Sequence, residues 1–185
     1  IEEELKKRIL VLDGAMGTMI QRYKLSEEDV RGERFADWHK DVKNNSEVLS
    51  LTRPDVISEI HKLYLDAGSD IIETNTFGAT AVAQGDFDMQ HLVREMNLES
   101  IRLAKEACAA KMEEDPSRPR YVAGSLGPMP RSLSVSPKVE DPGFRSVTFE
   151  EVYSAYKEQA EALMDAHTDL LLVETVFDTL NGKAA

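Results

Sequence analysis

Four short apolar runs punctuate the chain: Ile9–Leu12, Asp70–Glu73, Tyr121–Ser125 and Leu170–Glu174. Each is too short for a helix and gives way to polar or turn-forming residues, which is how a buried strand reads. Between the runs the apolar positions change to helical spacing. Val56, Ile57, Ile60, Tyr64 and Ala67 share one helical face, with Thr52 as the expected cap and Pro54 in the first turn. Leu92, Met96, Ile101, Ala104 and Ala107 mark a long middle helix that ends before the Pro116–Pro119 linker. Thr148 and Glu151 make a capping-box pattern ahead of Val152, Tyr156, Ala160 and Leu163. Gly68 and the Asp165–Thr168 segment sit where a helix must turn into the next strand. Asp178 and Thr179 open a further helix.

Strands alternating with helices predict an α/β fold with a parallel sheet and right-handed crossovers. A (β/α)8 TIM-type barrel and an open doubly wound sheet both satisfy that order. No Gly-x-Gly-x-x-Gly follows any strand, so a dinucleotide site has no support. A complete barrel takes about 250 residues, whereas these 185 residues carry about four βα units. The expectation is one domain over 1–185, the N-terminal half of a barrel, truncated at its C-terminal end. Two long segments, Tyr23 to Leu51 and Leu126 to Val147, follow strands. Both should lie on the mouth side, where long loops carry function. The prolines of the second restrict it to few shapes.

Charge and composition narrow the classes. The net charge is −12, and no cationic cluster exceeds Lys6-Lys7-Arg8. That argues against nucleic acid or an anionic membrane as a partner. No apolar run approaches a membrane span, and the acidic N-terminus does not resemble a signal peptide, so a cytoplasmic enzyme domain is expected. The single cysteine, Cys108, falls within a helical pattern and reads as a packing residue, not as a nucleophile or metal ligand. His39, His61, His91 and His167 show no metal-ligand spacing.

The candidate chemistry lies at the strand ends. A parallel barrel gathers the C-terminal ends of its strands around one mouth, so Asp13, Glu73, Thr74 and Glu174 are expected to meet there. Asp13 precedes Gly14, Ala15, Met16 and Gly17, small residues that let a ligand approach the backbone. Glu73-Thr74-Asn75-Thr76 is too polar for strand packing. Side-chain alternation sends one of Glu73 and Thr74 to the mouth and the other toward the helices. Glu174 closes a buried run, where a carboxylate needs a partner or a ligand cation.

LDGAMGTMIQ, PDVISEIHKLYLDAGSDIIETNTFGAT, RYVAGSLGP with LSVSP, and LLVETVFDTLNGKAA together resemble the N-terminal homocysteine-binding module of cobalamin-dependent methionine synthases. Asn44-Asn45 followed by Leu49-Ser50-Leu51-Thr52 points to that group and away from betaine-dependent relatives. The resemblance implies a (β/α)8 barrel that transfers a methyl group from methylcobalamin, recharged by methyltetrahydrofolate, to zinc-activated homocysteine. Asp13 and Gly14 would contact the substrate's amino-acid end, Thr74 would line its site, and Glu174 would bind its ammonium. Glu73, Asn75 and Ser125 are expected to line the mouth as well. The zinc-binding cysteines are expected beyond Ala185, leaving no metal ligand in this chain, and the folate and cobalamin modules would be partners further along. Two positions depart from the family pattern: Met129-Pro130 replaces a usual Thr-Asn, and His167 a common Gly. Two alternatives remain from the residues themselves. One is a barrel lyase holding magnesium on Asp13, Glu73 and Glu174, and the other a non-catalytic half-barrel that associates with itself.

Overall fold

Three parallel strands frame the protein in a computed structural model that describes all 185 residues. They are β1 (Ile71–Glu73), β2 (Tyr121–Leu126) and β3 (Leu170–Val173), side by side in that order. Ile72 lies opposite Val122, Glu73 opposite Ala123, and Ser125 opposite Leu172. The expected first strand, Ile9–Leu12, shrinks to a single parallel bridge between Leu12 and Ile71. Val11 accepts the amides of Asp70 and Ile71, and Asp13 donates to Ile71, but pairing stops there. Ile9 is 87% exposed, so nothing buries the start of that run and holds it to the sheet.

Helices cover one face. Ile72 and Val122 pack against Leu65 of helix Pro54–Ala67 and against Ala104 and Cys108 of helix Val93–Glu114. Helix Phe149–Asp165 begins with the expected box, Thr148 and Glu151 each bonding the other's backbone amide. It ends over the sheet, Leu163 lying so close to β2 that a β-carbon on Gly124 would approach it to 3.1 Å. Thr52 is not a cap. Residues Leu49–Thr52 form a short helix of their own, so the Thr52 hydroxyl bonds back to Val48 and the next helix starts at Pro54 after Arg53. Gly68 closes that helix at φ 108°, the left-handed region where only glycine is unstrained. His167 adopts φ 60° at the equivalent turn into β3, which accounts for glycine being common there.

Neither long segment is loose. In the first, Val30, Phe35, Val42, Val48 and Leu49 form a buried cluster. Arg31 donates to the carbonyls of Phe35, Ala36, Trp38 and Lys40, while Asn45 and Gln84 exchange two amide hydrogen bonds of 2.7 and 3.2 Å. In the second, Met129, Leu133 and Val147 are buried against helix 149–165. Met129 thus fills core volume, so the departure at this position is absorbed as packing.

Asp178 anchors the proline-bearing loop. Its carboxylate accepts Ser132 Oγ at 2.6 Å, Ser134 Oγ at 2.7 Å and the Ser134 amide at 3.0 Å, and it caps helix Thr179–Ala184. Burial alone would raise its pKa, but these donors hold it well below the usual carboxylate range. Asp178→Ala is expected to cost about 2 kcal/mol, combining a lost cap with lost charged hydrogen bonds. Amide exchange should accelerate first at Ser134 and Leu180; unchanged protection there would show that the loop is held by its apolar contacts alone.

The two lateral edges of the sheet differ from this packed interior. Val11, Leu12, Leu171, Val173 and Phe177 are all exposed. No helix is long and apolar enough to cross a membrane.

Candidate functional site

At the C-terminal ends of the strands lies a cleft of about 460 Å³, with Glu47, Glu73, Thr74, Asn75, Ser125 and Glu174 among its lining residues. No lysine, arginine or histidine lines it. Its charge is therefore of one sign, suited to a cationic group.

Glu174 leaves β3 with its amide bonded to the Leu126 carbonyl. Its carboxylate accepts the Ser125 hydroxyl from the adjoining strand. Thr175, at φ 51°, turns the chain sharply directly after it. That conformation is strained for a β-branched residue, and such strain concentrates at functional sites.

Glu73 ends β1 and lines the same cleft as Glu174. Burial, the hydrogen bond and charge of Glu174, and the Asp13 charge push it up to about 8. Asp13 turns both carboxylate oxygens onto the Glu73 amide, each at 3.1 Å. Burial, opposed by that bond and assisted by the charge of Glu174, raises it to about 7. Asp13 thus fixes the end of β1 from behind the lining residues. Gly14 packs beside Tyr64, whose hydroxyl donates to Ala15 at 3.2 Å; a β-carbon on Gly14 would meet that hydroxyl at 3.2 Å.

Glu73 and Thr74 both reach the cleft, contrary to the alternation expected of them. β1 ends at Glu73, so the pleat that would have separated the two side chains is already lost. Thr74 shares a 2.6 Å hydrogen bond with Thr76 and accepts the Ser125 amide at 3.1 Å, locking the 74–76 turn to β2. Asn75 donates to the Ser46 carbonyl and to Ser50, tying the same turn to the long first segment.

Glu47 was not legible beforehand. It lines the cleft and accepts the Gly78 amide at 2.9 Å, and burial raises its pKa. It lies in a charged segment without periodicity, where one acid looks like the next. Only the neighbouring Asn44-Asn45 pair singled out that stretch.

The residues present do not fit a zinc ion. No group of three or more His, Cys, Asp or Glu side chains is arranged to hold a metal. Cys108 is buried under the sheet with its thiol toward the Tyr121 carbonyl, and burial pushes it up to about 12, the reverse of a zinc thiolate.

A family model for homocysteine S-methyltransferases matches residues 10–185. Two crystal structures of the homocysteine methyltransferase MmuM from Escherichia coli are similar throughout. The metallated form is 26% identical with a TM-score of 0.72, covering 98% of this chain and 59% of that one. For the oxidized form the values are 26%, 0.73, 97% and 57%. The chain therefore spans less than two thirds of the length of these relatives. With a match over nearly all its residues, it belongs to the homocysteine S-methyltransferase family.

Proposed function

We propose that this chain is the N-terminal half of the (β/α)8 homocysteine-binding barrel of a cobalamin-dependent methionine synthase. The observation that carries the substrate assignment is the cleft at the strand ends, lined by Glu47, Glu73 and Glu174 and by no cationic side chain. Such a surface recognises the ammonium of an amino acid. Glu174, steadied by Ser125, is the primary contact, while Thr74 and Asn75 shape the wall and Asp13 and Gly14 set the end of the first segment. The exposed edges at residues 9–12 and 170–173 are where the remaining strands of the barrel would pair. Zinc, methylcobalamin and methyltetrahydrofolate would then be held by residues and modules outside these 185.

The choice of cobalamin as methyl carrier is supported by the Asn44-Asn45 and Leu49–Thr52 segments. The magnesium lyase loses support, because the carboxylates form no metal-holding group. A self-associating half-barrel would use the same exposed edges, and a single sedimenting species at all concentrations would tell against it. The function is tested by assaying methyl transfer to homocysteine with the protein of the complete reading frame, supplied in turn with methylcobalamin, betaine and a sulfonium donor. Methionine is expected from methylcobalamin; turnover with either other donor alone would overturn the cobalamin assignment while leaving homocysteine as acceptor.

A further inference from the structure

Phe77 is the only aromatic side chain on the cleft wall. It is 41% exposed and belongs to none of the buried apolar clusters. An exposed phenylalanine on open surface needs no explanation, but the chain around this one is fixed on every side. The Thr76 hydroxyl donates to the Ser125 carbonyl at 2.8 Å, and Gln159 Nε2 donates to the Thr76 carbonyl at 2.7 Å. The Gly78 amide is held by Glu47 at 2.9 Å. The Phe77 carbonyl itself accepts the amide of Gly127, which directly follows β2, at 3.2 Å.

Gly127 makes room for this arrangement. A β-carbon there would come to 2.5 Å from the Phe77 carbonyl oxygen and to 2.6 and 2.7 Å from ring atoms Cγ and Cδ2. Contacts that short are forbidden, and a backbone oxygen tied into the sheet end cannot swing aside. The ring is therefore seated on the chain leaving β2, and what remains exposed opens on the cleft. The rest of the wall is carboxylates, amides, hydroxyls and small residues, with Met16 the only other large apolar side chain.

We propose that Phe77 is a specificity residue of this cleft, its ring contacting the sulfur of an amino acid whose ammonium Glu174 holds, and that Gly127 is its positioning residue. The carboxylates fix the charged end of such a ligand and carry no information about its arm. Among these 185 residues, selection of the arm falls to the apolar part of the wall. A polarizable sulfur gains from an aromatic ring in a way that a methylene in the same place does not. A hydroxyl pressed against the ring would lose its water without finding a partner. The ring thus favours sulfur over both of its closest replacements.

The inference rests on the amino-acid reading of the cleft, and the test separates the two. The probes are L-methionine and L-norleucine, which share the charged end and nearly the same shape but differ by sulfur against methylene. Neither carries a thiol. Their binding to the complete protein is measured calorimetrically, and the quantity read is the ratio of the two affinities. Phe77→Leu keeps an apolar wall and removes the ring, so the ratio should fall about fivefold against norleucine's unchanged reference. Gly127→Ala should lower it similarly by displacing the ring. Phe77 lies outside the buried clusters, so its variant decides the matter even if Gly127→Ala does not fold. An unchanged ratio in Phe77→Leu would overturn the proposal alone, whether both affinities hold or both fall together. A ratio lowered in Phe77→Leu but kept in a folded Gly127→Ala would overturn the role given to Gly127. Failure of methionine, norleucine and homocysteine all to bind would overturn the reading of the cleft itself, and the proposal with it.

Discussion

Glu174→Gln is expected to weaken homocysteine binding by about 100-fold. The substitution keeps the shape of the side chain and its ability to accept the Ser125 hydroxyl, so the loss isolates the charge. Removing one partner of a desolvated charge pair costs about 2–5 kcal/mol, and each 1.4 kcal/mol is about tenfold. A value near the lower end is appropriate because Glu73 and Glu47 remain in the cleft. Titration with homocysteine and with its desamino analogue discriminates the cause. The analogue has no ammonium, so its weaker binding should hardly change. An equal loss for both ligands would mean that the substitution damages the cleft, and Glu174 would lose its role as the ammonium contact.

The strands β1, β2 and β3 were legible because each is a short apolar run buried on its helix side and bounded by turn residues. The first run has the same local pattern and still forms only one bridge. Its sequence cannot say that Ile9 lacks a neighbour, since pairing is a property of what lies alongside. The same limit applies to Thr52, a sound cap by type that the structure uses to finish one helix instead of starting another. In the site, Glu73 and Glu174 were readable as carboxylates at strand ends. Their meeting in one cleft was not, because it depends on how far two strands distant in sequence project past the sheet. Glu47 is the extreme case. It reaches the cleft through the Asn45–Gln84 and Asn75–Ser46 bonds that fold the first long segment over the mouth, and only tertiary structure distinguishes it from the other acids of that segment.

Asp70→Asn should give the largest loss of stability, about 3 kcal/mol. Asp70 lies just before β1 with its side chain 1% exposed, and its carboxylate accepts Arg8 at 2.8 Å, Arg118 at 2.7 Å and the Val11 amide at 3.0 Å. It thereby ties the N-terminal segment to the sheet and to the linker after helix 93–114. Breaking a buried pair by removing one partner costs about 3–5 kcal/mol, and the lower end applies because both guanidinium groups remain partly in water. For a domain of this size that shift lowers the melting temperature by about 10 °C. The pH dependence gives an independent check. Burial would raise the carboxyl, but Arg8, the Val11 amide and Arg118 together hold it down to about 2, below its unfolded value of about 3.9. Its contribution is therefore complete above about pH 4 and lost as the pH falls through 2, and Asp70→Asn should flatten that acid arm. Glu73 and Asp13 act with the opposite sign. Their folded pKa values, about 8 and about 7, lie above the unfolded ones, so ionising them in place costs stability as the pH rises from about 4 toward 8. Unfolding followed across pH should thus show two arms of different origin. The acid arm belongs to a carboxylate that holds the fold together, and the neutral arm to carboxyls kept apart from any cation of the protein. An ammonium ligand that binds the cleft should weaken the second arm through Glu73 and leave the first untouched.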